Sequence, residues 1–366
     1  MRLVITQSNP LAAGGVYVSE RAFIEECKHR RQIDVHVVQV GRRSDSEGAV
    51  EKLIGRILDI LRYAISLMRH RPHLVHLNTA FDRRALLRDA SFAAVSRLLG
   101  ASIFLKYHGS DEATVKTTSL FWRTLSRLTV SMADAVGVLS SEEKNNFIEV
   151  GYPPDKFYVV KNSVACGRFD TAPSVSRHKS ILLFIGRFIE AKGLLDLIKA
   201  ARILADAGRD FHLVCVGDGQ EMEHARELVR DLELQGRLSF TGYLSEEQTT
   251  LYYLQASMLV FPTYHQEGFP MVLFQSAAAG LPIITTRIRA AADYLKEPDN
   301  CLWVEPRNPA MLAEKIMIIM DHAEMRKEMS RNNRALARKF LPGNVADEYV
   351  TIYTRLVGLR KSKGGL

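Results

Sequence analysis

The 366 residues are 47% apolar and 25% charged, values of an ordinary folded protein with enough apolar surface for two cores. That excludes a disordered chain, a collagen-like repeat and a disulfide-stapled miniprotein. The balance of 49 Lys and Arg against 41 Asp and Glu leaves a net charge of +8, which calls for an anionic partner or a solvated basic surface.

From the first residues the chain runs into a strand, expected at Leu3–Gln7, with no secretory signal pattern ahead of it. Further strands are expected at Val35–Val40, Leu74–Leu77, Ile103–Tyr107, Ala135–Leu139 and Tyr158–Val160. Between the second and third, Leu53, Ile54, Ile57, Leu58, Leu61, Ala64, Ile65 and Met68 recur at helical spacing, which predicts a helix over Lys52–Met68. Strand–helix alternation of this kind means crossover connections and a parallel sheet covered on both faces. The polar stretch 170–179 breaks the pattern and reads as an interdomain linker.

After it the alternation resumes. Strands are expected at Ile181–Ile185, His212–Val216, Leu238–Thr241, Met258–Phe261, Ile283–Thr285 and Leu302–Val304, with helices at 193–207, 220–234, 246–255 and 270–279. Helices at 308–321, 324–340 and 345–360 close the chain. The fold class is therefore α/β, two doubly wound Rossmann-like domains, 1–170 and 171–344, whose strand ends would face a central cleft. No window approaches the roughly 18 uninterrupted apolar residues of a membrane span. Cys27, Cys166, Cys215 and Cys301 lie far apart without Cys-x-x-Cys spacing, so a reducing cytoplasmic setting is expected and a zinc site is not.

Chemistry concentrates at the strand ends. The apolar run 181–185 ends at Gly186, and Arg187 and Lys192 then flank the start of a helix whose free N–H groups add positive charge, a two-part anion site suited to a diphosphate. In Glu267-Gly268-Phe269-Pro270, Pro270 suits the first helical position, Glu267 sits in the loop before it, and the N–H groups of Gly268 and Phe269 can point at an anion. Gln275, one and a half turns on, can reach hydroxyls. Gly14-Gly15 after the first strand permits a close approach to phosphate, and Gly217-Asp218-Gly219 can let a nucleotide base lie near the backbone. His108 ends an apolar strand, in the direction of the cleft. Gly-x-Gly-x-x-Gly is absent, which disfavours a dinucleotide-dependent oxidoreductase, and so is Asp-x-Asp, the usual ligand pair of a cation bridging a diphosphate.

Together these residues resemble family 4 of the retaining glycosyltransferases, the GT-B architecture, in the family's order and over nearly the whole chain. Val160-Lys161-Asn162-Ser163-Val164 is similar to the family's Pro-Asn-Gly-Val interdomain turn. The resemblance implies a UDP-, GDP- or ADP-sugar donor on the second domain, no cofactor and no metal. Arg187 and Lys192 would neutralise the diphosphate, Glu267 with Gly268 and Phe269 would orient the sugar, His108 would reach towards its hydroxyls, and Gly15 would approach the phosphates. A closing helix over 345–366 would pack back onto the first domain. One departure stands out: the family pattern places a second glutamate where this chain has Gln275, a neutral and weaker acceptor for ribose hydroxyls.

The acceptor, a saccharide or lipid-linked saccharide, is expected on the first domain. Residues 1–170 carry 24 basic against 18 acidic residues, whereas 171–340 balance at 21 each. Arg56, Arg62, Arg69, Arg71, Arg83, Arg84 and Arg88 fall on or beside two helices there, and suggest docking to an anionic cytoplasmic membrane face. No nucleic-acid-binding signature is present. A non-catalytic sugar-nucleotide-binding regulator, a sugar-nucleotide epimerase and a phosphorylase are the competing classes. The phosphorylase should have a lysine for a pyridoxal cofactor, and 366 residues is short for one.

Overall fold

In a computed structural model describing residues 1–9, 15–41, 48–170 and 181–363, the alternating elements fold into two units, one of Met1–Ser163 with Pro342–Leu366 and one of Val164–Leu341. Gly14 and, beyond Asp170, the expected linker lie outside the described residues.

The first unit runs β1 (Arg2–Ser8), α1 (Gly15–Lys28), β2 (Asp34–Val40), α2 (Ala49–His70), β3 (Leu74–Phe81), α3 (Arg83–Leu98), β4 (Ser102–Ser110), α4 (Glu112–Val115), α5 (Leu120–Met132), β5 (Ala135–Val138), α6 (Ser141–Glu149) and β6 (Phe157–Val159). Its six strands are parallel in the order β2-β1-β3-β4-β5-β6. In β4, Ile103, Leu105 and Tyr107 enter the core shared with α2, α3 and α5, while alternation sends Phe104, Lys106 and His108 to the other face. There Phe104 meets Tyr349 and Tyr353.

The second unit runs α7 (Gly167–Asp170), β7 (Ile181–Ile185), α8 (Leu194–Asp206), β8 (His212–Val216), α9 (Met222–Asp231), β9 (Leu238–Gly242), α10 (Glu246–Gln255), β10 (Met258–Phe261), α11 (Met271–Ala278), β11 (Ile283–Thr285), α12 (Arg289–Tyr294), β12 (Cys301–Trp303), α13 (Pro309–Asp321) and α14 (Ala323–Ala337). Its parallel order is β12-β11-β10-β7-β8-β9. Helix α12 was not expected, being a single short run after β11. The last helix, α15 (Pro342–Lys363), returns to the first unit and buries Tyr349 and Tyr353 beside α1 and β4. In each sheet the chain reverses its direction of winding once, between β1 and β3 and between β7 and β10, and such points open a crevice at the carboxyl ends of the strands.

Helix α2 shows where periodicity misleads. The helical period is real, and the helix stops where Arg71 turns left-handed before Pro72. The side facing the sheet, however, is Gly55, Asp59, Tyr63 and Leu67, and most of the apolar residues that carry the period point outward.

Candidate active site

The crevice of the second unit is assembled from the loops after β7 and β10. The Ala191 carbonyl accepts from the N–H groups of Tyr264 (2.8 Å) and His265 (3.0 Å) and from the Thr263 hydroxyl (3.2 Å), which stitches the two loops together. Lys192 follows Ala191 in a 3-10 turn that ends at Gly193, whose φ of 75° and position against Pro262 leave no room for a side chain: a Cβ would stand 2.5 Å from the Pro262 carbonyl oxygen. This clamp brings the Lys192 ammonium onto the Glu267 carboxylate as a direct ion pair. The ammonium also lies 5.5 Å from the centre of the Phe261 ring.

Burial first, and the charge of Arg187 second, push Lys192 down to about 7. Arg187 is exposed and meets no carboxylate among the described residues. His265 is held below the usual histidine range by burial and then by Lys192, Arg187 and Arg289. Three cations thus surround one neutral imidazole and one acid. The N–H groups of Gly268 and Phe269 meet no acceptor among the described residues, so they add donors to the same field.

Arg187, Lys192, Glu267, Gly186 and Gly268 therefore come together as neighbours at one switch point. Phe269 contributes only its backbone, because its ring stacks on Phe274 at 3.9 Å and meets Phe340 in the core. Pro270 is the N-cap rather than the first helical residue. At Gly217 a Cβ would lie 1.9 Å from the Gly186 carbonyl oxygen, so loop-on-loop packing by itself demands the glycine. Gly219 is likewise pressed against the Phe188 backbone.

Gln275 is committed within the protein. Tyr253 donates to its Oε1 (2.9 Å), and its Nε2 donates to Glu246 (3.1 Å), which also pairs with Arg168 (3.1 Å). A glutamate at 275 would set two carboxylates side by side, so the amide is what Glu246 requires. The acid of this corner is Glu246, a role sequence spacing could not reveal. Arg289 was missed as well. It is 1% exposed, and its guanidinium grips the Gln266 carbonyl (3.0 Å), fixing the residue before Glu267.

The first unit carries a second polar cluster at its own switch point. The His108 side chain, 5% exposed, places Nε2 2.9 Å from Asn78 Oδ1 and 3.2 Å from Glu20 Oε1. Both partners accept, so Nε2 carries the proton, and Nδ1 is left as a buried acceptor without a described partner. Burial and the neighbouring Lys106 hold His108 below the usual histidine range. Burial would raise Glu20, but the hydrogen bond and charge of His108 and the Ser8 N–H outweigh it and leave the carboxyl low. Lys106 is 2% exposed, pushed by burial down to about 7, with its ammonium 5.2 Å from the Tyr349 ring centre. Glu20, Asn78 and Lys106 come from three elements far apart in the sequence, which hid the cluster. Gly15 opens α1 behind β1.

Among the described residues no cluster of three or more metal-ligating side chains occurs, and no helix is long and apolar enough to cross a membrane.

The chain is similar to known glycosyltransferases in sequence and in fold. A 2-deoxystreptamine N-acetyl-D-glucosaminyltransferase of Niallia circulans is 28% identical over 177 residues, 48% of this chain, which spans only 45% of that relative's length. An alpha-D-kanosaminyltransferase of Streptomyces kanamyceticus is 24% identical over 97% of this chain and 95% of its own. In fold, the chain is similar to Anabaena HepE solved with UDP and glucose, with a TM-score of 0.73 and 17% identity over 96% of this chain and 99% of that one. Both units are GT-B halves. Family models match each in turn, a glycosyl transferase 4-like domain at residues 10–163 and glycosyl transferases group 1 at 170–336. On these matches the chain belongs to the group 1 glycosyltransferases.

Proposed function

We propose that this chain moves a sugar from a nucleoside diphosphate sugar to a saccharide or lipid-linked saccharide, with retained anomeric configuration and without a metal ion. The observation that carries the reading is the convergence of Arg187, Lys192 and Glu267 at the β7/β10 switch point. Two cations there match the charge of a diphosphate, and preorganised positive groups stabilise the leaving group most as its charge grows. Glu267, relieved of Lys192 when phosphate takes that lysine, accepts from sugar hydroxyls. His108, its Nε2 proton held between Glu20 and Asn78, stands among the polar groups of the first unit's crevice that we assign to substrate hydroxyls. The sugar-transferring names of the relatives and the UDP and glucose bound to Anabaena HepE support the same donor class.

In the step itself the bond from the anomeric carbon to the diphosphate oxygen breaks, and the acceptor oxygen bonds to the same face of that carbon. The acceptor proton passes to a phosphate oxygen of the leaving diphosphate, so no protein base is needed. Arg187 and Lys192 neutralise the diphosphate charge that a divalent ion would otherwise offset. The setting we propose is the assembly of a cell-surface polysaccharide or glycolipid on the cytoplasmic side of a membrane.

Incubation with UDP-, GDP- and ADP-sugars, with release of nucleoside diphosphate followed over time, tests the donor class. The expected result is release with one base, undiminished by EDTA, and a product whose anomeric proton signal keeps the donor's configuration. No release with any donor refutes the reading, and an inverted product refutes retention.

A further inference from the structure

The outward face of α2 has no counterpart in the chemistry above. Ile54, Ile57, Leu58, Leu61, Ile65 and Met68 form one stripe along the helix, each 39–58% exposed. At 3.6 residues per turn the stripe lies opposite Gly55, Asp59, Tyr63 and Leu67, which are buried. That inner face is firmly anchored: Tyr63 stacks on Phe92 at 4.4 Å and bonds Ser96, and Asp59 accepts from the Gly41 N–H at 3.0 Å. The helix therefore cannot rotate to hide the stripe. A helix anchored through one buried face and apolar on the opposite, exposed face needs a second apolar environment.

The cations decide what that environment is. Lys52, Arg56, Arg62, Arg69 and Arg71 are exposed on or just past the same helix, whose two acids are Glu51, tied to the Gly48 N–H at its start, and the buried Asp59. Arg62 and Arg69 border the stripe directly. The layer continues through α3 and α5, which follow α2 across the same face of the sheet and expose Leu87, Leu120, Phe121 and Leu128. A second copy of this chain meeting the patch across a twofold axis would set these cations against themselves. An anionic bilayer satisfies both parts, with the apolar stripe in the acyl boundary and the cations among the headgroups.

We infer that α2 is an interfacial helix, and that it seats the first unit on an anionic lipid surface with Ile54, Ile57, Leu61 and Ile65 inserted. The inference rests on α2 alone and is independent of the proposed glycosyl transfer. It also changes the basis of membrane attachment from surface arginines to apolar insertion, with the arginines selecting the lipid.

Flotation of the full chain with vesicles of phosphatidylcholine containing about one quarter phosphatidylglycerol, at about 0.1 M salt, tests it. Recovery with these vesicles should exceed that with pure phosphatidylcholine at least tenfold, and added salt should weaken the binding without abolishing it. The double substitution Leu61→Asp with Ile65→Asp should lose vesicle binding at least tenfold while the melting temperature and donor hydrolysis stay unchanged. Should that pair disturb folding, Arg62→Glu with Arg69→Glu should lose the preference for anionic lipid and leave the helix intact. Equal recovery on the two vesicle types overturns the inference, as does full binding by the aspartate pair. A parent dimer that the aspartate pair dissolves, with no vesicle binding by either, assigns the stripe to a second copy and also overturns it.

Discussion

The two switch points share a topology and differ in charge. In the first unit the crevice residues are Ser8, Glu20, Asn78 and His108, with one acid at the centre that receives hydrogen bonds from Ser8 and His108. Its lysine, Lys106, is buried beside an aromatic ring. In the second unit the crevice residues are Arg187, Lys192, His265, Glu267 and Arg289, with one acid among three cations. A parallel sheet fixes where the crevice opens, because every strand delivers its loop to the same edge. The loop residues then fix what it can hold. An imidazole locked in one tautomer by two acceptors suits hydroxyls, whereas clustered cations beside open N–H groups suit phosphate.

The comparison breaks most sharply at Lys192. Lys192→Ala should lower kcat/KM for the donor by about 100- to 1000-fold, or roughly 2.7–4 kcal/mol, the usual cost of removing one preorganised donor. Steady-state release of nucleoside diphosphate measures it, and near-normal turnover would refute the phosphate assignment. On the other side, His108→Ala should lower kcat by about 100-fold, the lower range for losing one preorganised hydrogen-bonding group, with little effect on binding of the free nucleoside diphosphate. If nucleotide affinity falls as much as kcat does, the division of labour between the two crevices is wrong.

A smaller effect should appear in the pH profile. Lys192, held at about 7, is cationic below that pH and neutral above it. An ordinary exposed lysine keeps its charge to about pH 10. The donor kcat/KM should therefore fall from about pH 7 upward, by up to about tenfold per unit. A flat profile between pH 7 and 9 would show that Lys192 keeps its proton there. Smallest is Gln275→Glu, which exchanges a donor to Glu246 for a second carboxylate. It should cost about 1–2 kcal/mol of stability in a urea titration, without tightening the donor. A tighter donor would mean that ribose contacts position 275 after all.

Much of the fold was legible because it rests on local signals. The strand expectations at Ile181–Ile185, His212–Val216, Met258–Phe261 and Ile283–Thr285 coincide with β7, β8, β10 and β11, where short apolar runs end at glycine, proline or polar residues. The helical period of α2 was equally plain, but a period names a helix and leaves open which neighbour covers its apolar side. At the candidate site, the sequence displayed residues that lie at loop starts, such as Arg187, Lys192 and Glu267. It concealed Glu20, Lys106 and Arg289, whose importance comes from burial and from partners distant along the chain. At two positions packing adds a reason the sequence did not display: Gly186 passes over Gly217, and the Gln275 amide donates to Glu246.

Calorimetric titration of the nucleoside diphosphate of the proposed donor, into the parent chain and into Arg187→Ala with Lys192→Ala, tests the phosphate crevice most directly. Saturable binding by the parent should weaken by about 100-fold or more in the double variant, since two charge-assisted contacts of roughly 1.5–3 kcal/mol each are lost. Equal affinity in the two proteins would place the diphosphate elsewhere and contradict the account.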